Sequence, residues 1–529
     1  MIVDDALFGM ARTGKLDESI TYPQILSTVS GGDIKISPEE LFISEGNRFD
    51  RRTLSGKGTL APGKENRYPE SEDLVVITDG ALLIQRPRKL LKAIYGIRNQ
   101  VSFSKLIYMQ GVADPYLFPV LVYAGISLFD DSTLRMVSLR GIRYGELGYE
   151  RSDENNFQAN FAFARRIMAN LSLAIKDGTL REVVEKYQIS TKAAEILRLM
   201  DSEGYEAEEA SFPRRTPYIK ANSLESLRRP DLVRYRDFIR TVYRRPDSKK
   251  IALLLPCSAR KPYSISKSHR KIIEKIMPYR KYVHEIIVTS PVGIVPRELE
   301  ETYPAMFYDI PVIGDWYEDE KHMISNLLRG YFQNNRYDAV YTFVGDDLDF
   351  IHDDLPEGHI KIGWDKHTEE SLDRLNETIS AYVQQSGHGE HDSKTNRLEN
   401  YIKIAEYQFG NWISDYISGC KIVKNYNSEM LVKDGKPFLI YNPLLGKFTI
   451  NKNSGQIFAK ENRFVVEIDD FKPTANIYPV GILDATEDIR QEDEVVACHS
   501  GQVRAVGIAK MPFLAMKSLR KGIAVKVRN

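Results

Sequence analysis

The 529-residue chain carries 73 Lys and Arg against 73 Asp and Glu, so its formal charge is zero and net charge names no partner; local charge has to be read instead. At roughly 100–200 residues per domain, the length points to three or four domains. Its three cysteines, Cys257, Cys420 and Cys498, are far apart and include no CxxC pair, which excludes a disulfide framework and a structural zinc knuckle and fits a reducing, cytoplasmic compartment.

The opening MIVDDALFGMARTGKL lacks the basic start and apolar stretch of a signal peptide. Up to about residue 215, short apolar runs alternate with amphipathic stretches. DLVVITDG (Asp73–Gly80), SKLIYMQG (Ser104–Gly111) and GISLFD (Gly125–Asp130) read as buried strands ending in polar turns, and PRKLLKAIYGIRN (Pro87–Asn99) reads as a helix between them. Such alternation predicts a parallel sheet, either open or closed into a barrel. The most apolar run, LFPVLVYAGISLF (Leu117–Phe129), is shorter than the roughly 18 residues of a membrane span. The acidic DSEGYEAEEASF (Asp201–Phe212) reads as an exposed linker. From Arg228 to Lys250 nine Arg or Lys face three Asp or Glu, which is either a solvated helix face or a phosphate-contacting surface.

Between about 249 and 386, three apolar runs predict strands: IALLLP (Ile251–Pro256), EIIVTS (Glu285–Ser290) and DAVYTFVG (Asp338–Gly345). Helical patterns at Ser268–Met277, Trp316–Asn334 and Glu369–Gln385 complete a small doubly wound α/β domain. QQSGHGEHDSKTN (Gln384–Asn396) reads as a linker, in which His388, Glu390 and His391 are not preorganised as metal ligands. A helix at about Arg397–Tyr416 follows, then short β runs with turns at KDGK and NKNSG. The last section, from about Phe464, is compact and all-β, with DEVVACHSGQVRAVGIA (Asp493–Ala509) as a hairpin turning at Ser500–Gly501. From Ser500 to Asn529 there are seven basic residues and no acidic one. Arg504, Lys510, Lys517, Arg520, Lys521, Lys526 and Arg528 are therefore candidate RNA contacts. The predicted domains are 1–215, 216–386, 397–460 and 461–529.

The chemistry concentrates in LLLPCSARKPYSISKSH (Leu253–His269). In a doubly wound sheet ligands sit at the carboxyl ends of the strands. Cys257 directly follows the first strand, Ser290 ends the second, and Asp346 and Asp347 end the third; Asp315 and Glu318 come from PVIGDWYEDE. Lys261 is a cation that would lower a thiol pKa, and His269 is placed to act as acid or base if the loop folds back. Pro256 and Pro262 stiffen the loop, Tyr263 offers a ring and a hydroxyl, and Ser266 completes the cluster. A cysteine after an apolar strand is equally an ordinary small core residue; Cys420 and Cys498, with no such neighbours, are read as packing. No GxxxxGK[ST] loop or other cofactor motif is present.

Pro256-Cys257, Lys261-Pro262-Tyr263, Ser266 and His269 at their spacings resemble the signature of the archaeosine synthase family, which is related to tRNA-guanine transglycosylases. IYMQGVADPYLFPVLVYAGISLFDDSTLRMVSLRG (Ile107–Gly141) resembles the late part of a transglycosylase barrel, and GQVRAVGIAK with KGIAVKVRN resembles a PUA domain. The implied fold is an α/β and α+β multidomain chain: a degenerate TIM-barrel-like domain, the doubly wound core, a small α+β domain and a C-terminal PUA β-barrel. The cysteine cluster that holds zinc in transglycosylases is absent, as is their base-holding aspartate-glycine motif. Asp130, where their nucleophile would lie, is read as a relic or a helix cap.

The resemblance implies an enzyme acting on tRNA that carries 7-cyano-7-deazaguanine at position 15 of the D-loop. Free L-lysine would add to the nitrile through its side-chain amine, and a radical-SAM partner would cleave the adduct to the amidine. The implied assembly is a homodimer. Cys257, Lys261, His269, Tyr263 and Ser266 are the expected catalytic set. Pro256, Pro262, Ser290, Asp315, Glu318, Asp346 and Asp347 are the expected substrate contacts, with neither metal nor cofactor. Three alternatives stay open: an amidotransferase using glutamine or ammonia on the same nitrile, a base-exchanging transglycosylase, and a non-catalytic tRNA-binding subunit.

Overall fold

The computed structural model describes residues 2–16, 20–28, 34–36, 40–43, 47–50, 73–77, 79–365, 368–386, 393–425 and 428–528. They fall into two compact units: Met1–Pro217 together with Gly455–Asn529, and Tyr218–Ser454, which is thus inserted into the first. Among the described residues no helix is long and apolar enough to cross a membrane. His388, Glu390 and His391 lie outside the described residues.

The first unit opens with a three-stranded antiparallel sheet (Val3–Phe8, Ala11–Lys15, Thr21–Tyr22). Beside it in sequence is a parallel sheet of four strands in the order Gln24–Leu26, Leu128–Asp130, Leu106–Met109, Leu74–Ile77. Three of the four are the apolar runs of the sequence, and alternation divides their side chains between two cores. Val75, Ile77, Ile107, Met109 and Phe129 meet Leu90, Ile94 and Ile97 of helix Pro87–Val101. Leu74, Val76, Leu106, Tyr108 and Leu128 meet Leu16, Ile20 and Tyr22. Burial on both faces is what makes parallel strands read as continuous apolar runs.

Two readings of polar segments are corrected. Asp201–Phe212 is not an exposed linker: it is the end of helix Thr191–Ser202 and the helix Tyr205–Glu209. The cause is Arg181, whose buried guanidinium is met by Asp201 at 2.6 Å, Glu185 at 2.6 Å and Glu208 at 3.3 Å. A buried cation needs such partners, and they draw the acidic segment inward. Nor is NKNSG a simple turn. Asn451 Oδ1 accepts from the backbone N–H groups of Asn453 and Ser454, opening the helix Lys452–Lys460.

The C-terminal part of this unit is a six-stranded sheet in the order Asn476–Ile477, Val525–Arg528, Gln502–Ala509, Glu494–His499, Val465–Ile468, Ile482–Ala485. Its hairpin turns at Ser500 and Gly501, both at positive φ (49° and 74°), the backbone pair that a two-residue turn of matching twist requires.

The second unit is built on a five-stranded sheet in the order Gly293–Pro296, Val283–Thr289, Ile251–Pro256, Ala339–Thr342, Ile360–Lys361, parallel except for Gly293–Pro296. Ile251, Leu253, Leu255, Tyr341 and Phe343 pack on Ile272 and Ile276 of helix Lys267–Ile276 and on Leu372, Leu375 and Ile379 of helix Glu369–Ser386. Helix Glu318–Asn334 lies so close to Gly293 (φ +99°) that a Cβ there would stand 2.4 Å from Leu327 Cδ2. The basic run Arg228–Lys250 is neither solvated face nor phosphate surface throughout. It begins the helix Pro230–Asp237, and several of its cations are spent internally: Arg229 on Asp231 at 3.2 Å, Arg236 on the carbonyl of Pro291 at 2.7 Å, and Arg245 on the carbonyls of Arg336 and Lys249 at 2.7 and 2.6 Å. The unit also holds helix Ser393–Phe409 and a four-stranded antiparallel sheet from Lys421–Asn425 to Lys447–Ile450.

Candidate functional site

The carboxyl ends of strands Ile251–Pro256, Val283–Thr289 and Ala339–Thr342 share one rim. Pro256 is in register with Val288, so Cys257 and Thr289 are the next residues of adjacent parallel strands. Cys257 is half-buried, whereas Cys420 and Cys498 are buried. Burial raises the Cys257 thiol pKa; Thr289, within hydrogen-bonding reach, and the Lys261 ammonium pull it back, and Asp347 pushes it up again. The thiol therefore holds its proton at neutral pH. Burial lowers the Lys261 pKa, and the Cys257 sulfur and Asp309 oppose that shift. The Lys261 ammonium lies 3.8 Å from the centre of the Tyr308 ring, a cation–π seat for a partly desolvated charge.

Beneath Lys261 three hydroxyls meet. Tyr263 Oη and Tyr308 Oη are 2.8 Å apart, and Tyr308 Oη also bonds Thr289 Oγ1. Tyr263 and Tyr308 are buried, which holds both phenols protonated. Tyr308 comes from a two-residue strand, Tyr308–Asp309, paired with Ile219–Lys220.

His269 and Ser266 are both engaged in local structure. Ser266 is the N-cap of helix Lys267–Ile276, accepting from the His269 backbone N–H at 3.3 Å. His269 is buried, and both ring nitrogens are engaged. Arg297 Nη2 lies 2.8 Å from Nδ1, so Nδ1 accepts and Nε2 donates to the Pro256 carbonyl at 3.0 Å. Burial, and next the Arg297 charge, lower its pKa to about 4. With both nitrogens engaged, the ring ties the Pro256 end of the loop to Arg297. Arg297 is itself held by Glu285 at 2.6 Å and Glu300 at 2.8 Å, and Glu300 accepts the Ser264 N–H at 2.9 Å. Pro256 thus serves through its carbonyl, and Pro262 opens the short helix Tyr263–Ile265.

The expected carboxylates separate. Asp347 acts on the Cys257 thiol and accepts from the Trp316 indole N–H at 3.3 Å. Asp315 accepts from its neighbour's backbone N–H, at Trp316. Asp346 is 98% exposed, 3.8 Å from Lys361, and Glu318 is exposed and paired with Lys321 at 2.7 Å. Ser290 is buried, its hydroxyl without a hydrogen-bond partner among the described residues. The structure therefore gathers Cys257, Lys261, Tyr263 and Asp347, and adds Thr289 and Tyr308, which the sequence reading did not single out. Among the described residues no group of three or more His, Cys, Asp or Glu is placed to hold a metal ion.

The basic tail also divides. Arg504 pairs with Asp470, Lys510 with Glu492, Lys517 with Asp484 and Arg528 with Glu494. Arg520, Lys521 and Lys526 are exposed and have no ion-pair partner among the described residues. Asp130 is fully buried and saturated: it accepts from Tyr108 Oη at 2.8 Å, the Gly111 N–H at 2.7 Å and the Ser132 N–H at 3.0 Å. The last of these bonds is at the start of helix Ser132–Leu139.

Comparison with known proteins adds the family. Residues 232–379 match a domain of unknown function, DUF5591, and residues 468–529 match the PUA domain. The chain is 49% identical, over the whole length of both, to the archaeosine synthase subunit alpha of Thermoplasma acidophilum. It belongs to the archaeosine synthase family. A second alpha subunit, from Methanosarcina acetivorans, is 30% identical over 98% of each chain. The tRNA-guanine(15) transglycosylase of Methanothermobacter thermautotrophicus is 24% identical over 84% of this chain and 69% of its own. The protein is thus an enzyme of archaeosine biosynthesis, a tRNA modification, with transglycosylase kinship and a C-terminal PUA domain.

Proposed function

We propose that the protein joins L-lysine, through its side-chain amine, to the nitrile of 7-cyano-7-deazaguanine at position 15 of tRNA, using Cys257 as a covalent catalyst. The observation that carries this is the half-buried Cys257 at the carboxyl end of its strand, with Lys261 close enough for its charge to act on the thiol. A nitrile needs both a nucleophile and a proton. The Cys257 sulfur bonds the nitrile carbon, Lys261 donates a proton to the nitrile nitrogen, and Lys261 is reprotonated by the thiol proton. The product of that step is a thioimidate. The lysine amine then bonds the same carbon, the C–S bond breaks, and an amine proton returns to sulfur, leaving a substituted amidine. Splitting one hard addition into two easier ones is what covalent catalysis offers. Asp347 is the carboxylate best placed to hold the incoming ammonium group.

A radical-SAM partner would cleave the adduct; the alpha designation of two relatives suits an assembly with a second kind of subunit. The exposed Arg520, Lys521 and Lys526 of the PUA domain supply cations for tRNA phosphates. The four-stranded parallel sheet is read as a reduced transglycosylase barrel, the sheet around Cys257 as a doubly wound core, and 397–460 as an accessory domain.

The test is to incubate the protein with labelled L-lysine and tRNA bearing the cyano base, and to weigh the released nucleosides. A nucleoside heavier by one lysine is expected, and its rate of formation should fall on the order of a thousandfold or more in Cys257→Ala. Near-normal turnover by Cys257→Ala would sink the covalent scheme. Product from ammonia or glutamine alone would make the enzyme an amidotransferase, and no product with any donor would leave a tRNA-binding subunit.

A further inference from the structure

Resting on the reading of Cys257 as the nucleophile, we propose that Thr289, Tyr308 and Tyr263 form a one-way chain of hydroxyl donors that ends on the Cys257 sulfur, with Thr289 as a catalytic residue and the two tyrosines as positioning residues. Sheet register brings Thr289 beside Cys257, since Pro256 and Val288 are paired and these are the next residues on. The chain is continuous: Tyr263 Oη to Tyr308 Oη at 2.8 Å, then Tyr308 Oη to Thr289 Oγ1. All three residues are buried.

Each hydroxyl has one proton to donate. The Thr289 hydroxyl reaches the Ser290 carbonyl at 3.3 Å, a long bond that is cheap to give up. If Tyr308 donates to Thr289 Oγ1, and Tyr263 to Tyr308, the Thr289 proton is free to turn to sulfur when negative charge develops there. Burial raises both phenol pKa values, so the tyrosines stay donors throughout and no proton leaves the chain. Tyr308 has a second duty, because its ring carries the Lys261 ammonium at 3.8 Å. One side chain thereby fixes both the cation that delivers a proton to the nitrile and the hydroxyl that braces the sulfur. Hydrogen bonds aimed beforehand at a developing charge cost no reorganisation at the moment of reaction.

The experiment is the pH dependence of Cys257 alkylation by iodoacetamide, followed by peptide mass spectrometry on the full-length protein, together with kcat and KM for tRNA. Thr289→Val should move the alkylation inflection up by about one pH unit, the worth of one hydrogen bond to a charged group. It should lower kcat about 10- to 100-fold with KM within about twofold, as loss of a bond made chiefly in the transition state requires. Thr289→Ser should restore both. Tyr308→Phe, which keeps the ring under Lys261, should shift the inflection in the same direction by less. A wild-type alkylation profile in folded Thr289→Val overturns the proposal, and if that variant fails to fold, a wild-type profile in Tyr308→Phe does so. The alkylation readout needs no turnover. If Cys257→Ala still transfers lysine, the covalent reading fails whatever the chain does to the thiol.

Discussion

His269, read from the sequence as an acid or base, has both ring nitrogens engaged in the fold. Its ring joins the Pro256 carbonyl to Arg297, and its pKa falls to about 4, through burial first and the Arg297 charge second. In the unfolded chain it titrates near 6.5, so between the two values the unfolded state takes up a proton that the fold refuses. Stability from this group is complete above pH 6.5 and is lost as pH falls towards 4, on the order of 3 kcal/mol. Glu285 extends the window downwards. Burial alone would raise its pKa, but Arg297 and Arg280 outweigh that and hold it at about 2. Its contribution is complete above the usual glutamate value and is lost as pH falls through about 2. Thermal melting measured from pH 7 to 4 should therefore show a falling transition temperature, and His269→Gln should flatten that slope; an unchanged slope would refute that contribution. The proximity of Cys257 and Lys261 was legible because both follow directly from one buried strand. The commitment of His269 was not, because its partner Arg297 lies 28 residues further on and outside any local pattern. Thr289 and Tyr308 escaped for related reasons: Thr289 reads as one more strand residue, and Tyr308 belongs to a strand only two residues long.

At the scale of elements, strands were easier to read than polar segments. A strand buried on both faces announces itself as an apolar run, and the three strands at the Cys257 rim and three of the four in the first parallel sheet were found that way. Polar stretches carry no such signal of what they face. The acidic 201–212 is helical and turned towards Arg181, and Asn451 caps a helix where a turn was expected. Ser266 is the same case inside the signature loop, where a hydroxyl grouped with catalytic residues is the N-cap of the helix that carries His269. The two roles make different predictions. Ser266→Ala should cost about 1 kcal/mol of stability, the usual worth of a cap. Ser266→Asn, which can still cap, should keep both the melting temperature and the turnover of the wild type. Normal stability with lost turnover in Ser266→Asn would return Ser266 to the chemistry.

At the scale of the whole molecule, the PUA domain and the Cys257 loop fall in different units, with the Cys257 unit inserted in sequence into the other. The strand with which the chain begins the inserted unit, Ile219–Lys220, pairs with Tyr308–Asp309 and so braces the floor beneath Lys261. The PUA domain belongs to the other unit, and only part of its basic tail is free for a ligand. Arg504, Lys510, Lys517 and Arg528 each face a carboxylate of their own unit, whereas Arg520, Lys521 and Lys526 do not. Composition gave all seven the same weight; pairing separates them. Replacing Arg520, Lys521 and Lys526 together by alanine should weaken tRNA binding and reduce the slope of log affinity against log salt by roughly two to three, because each lost phosphate contact removes about 0.9. The chemical step, measured at saturating tRNA, should be unchanged, since none of the three belongs to the unit that holds Cys257. Arg528→Ala should instead lower the melting temperature, because Arg528 faces the buried carboxylate of Glu494, and should leave the salt slope near that of the wild type. A triple variant with an unaltered salt slope would show that the tRNA is held elsewhere.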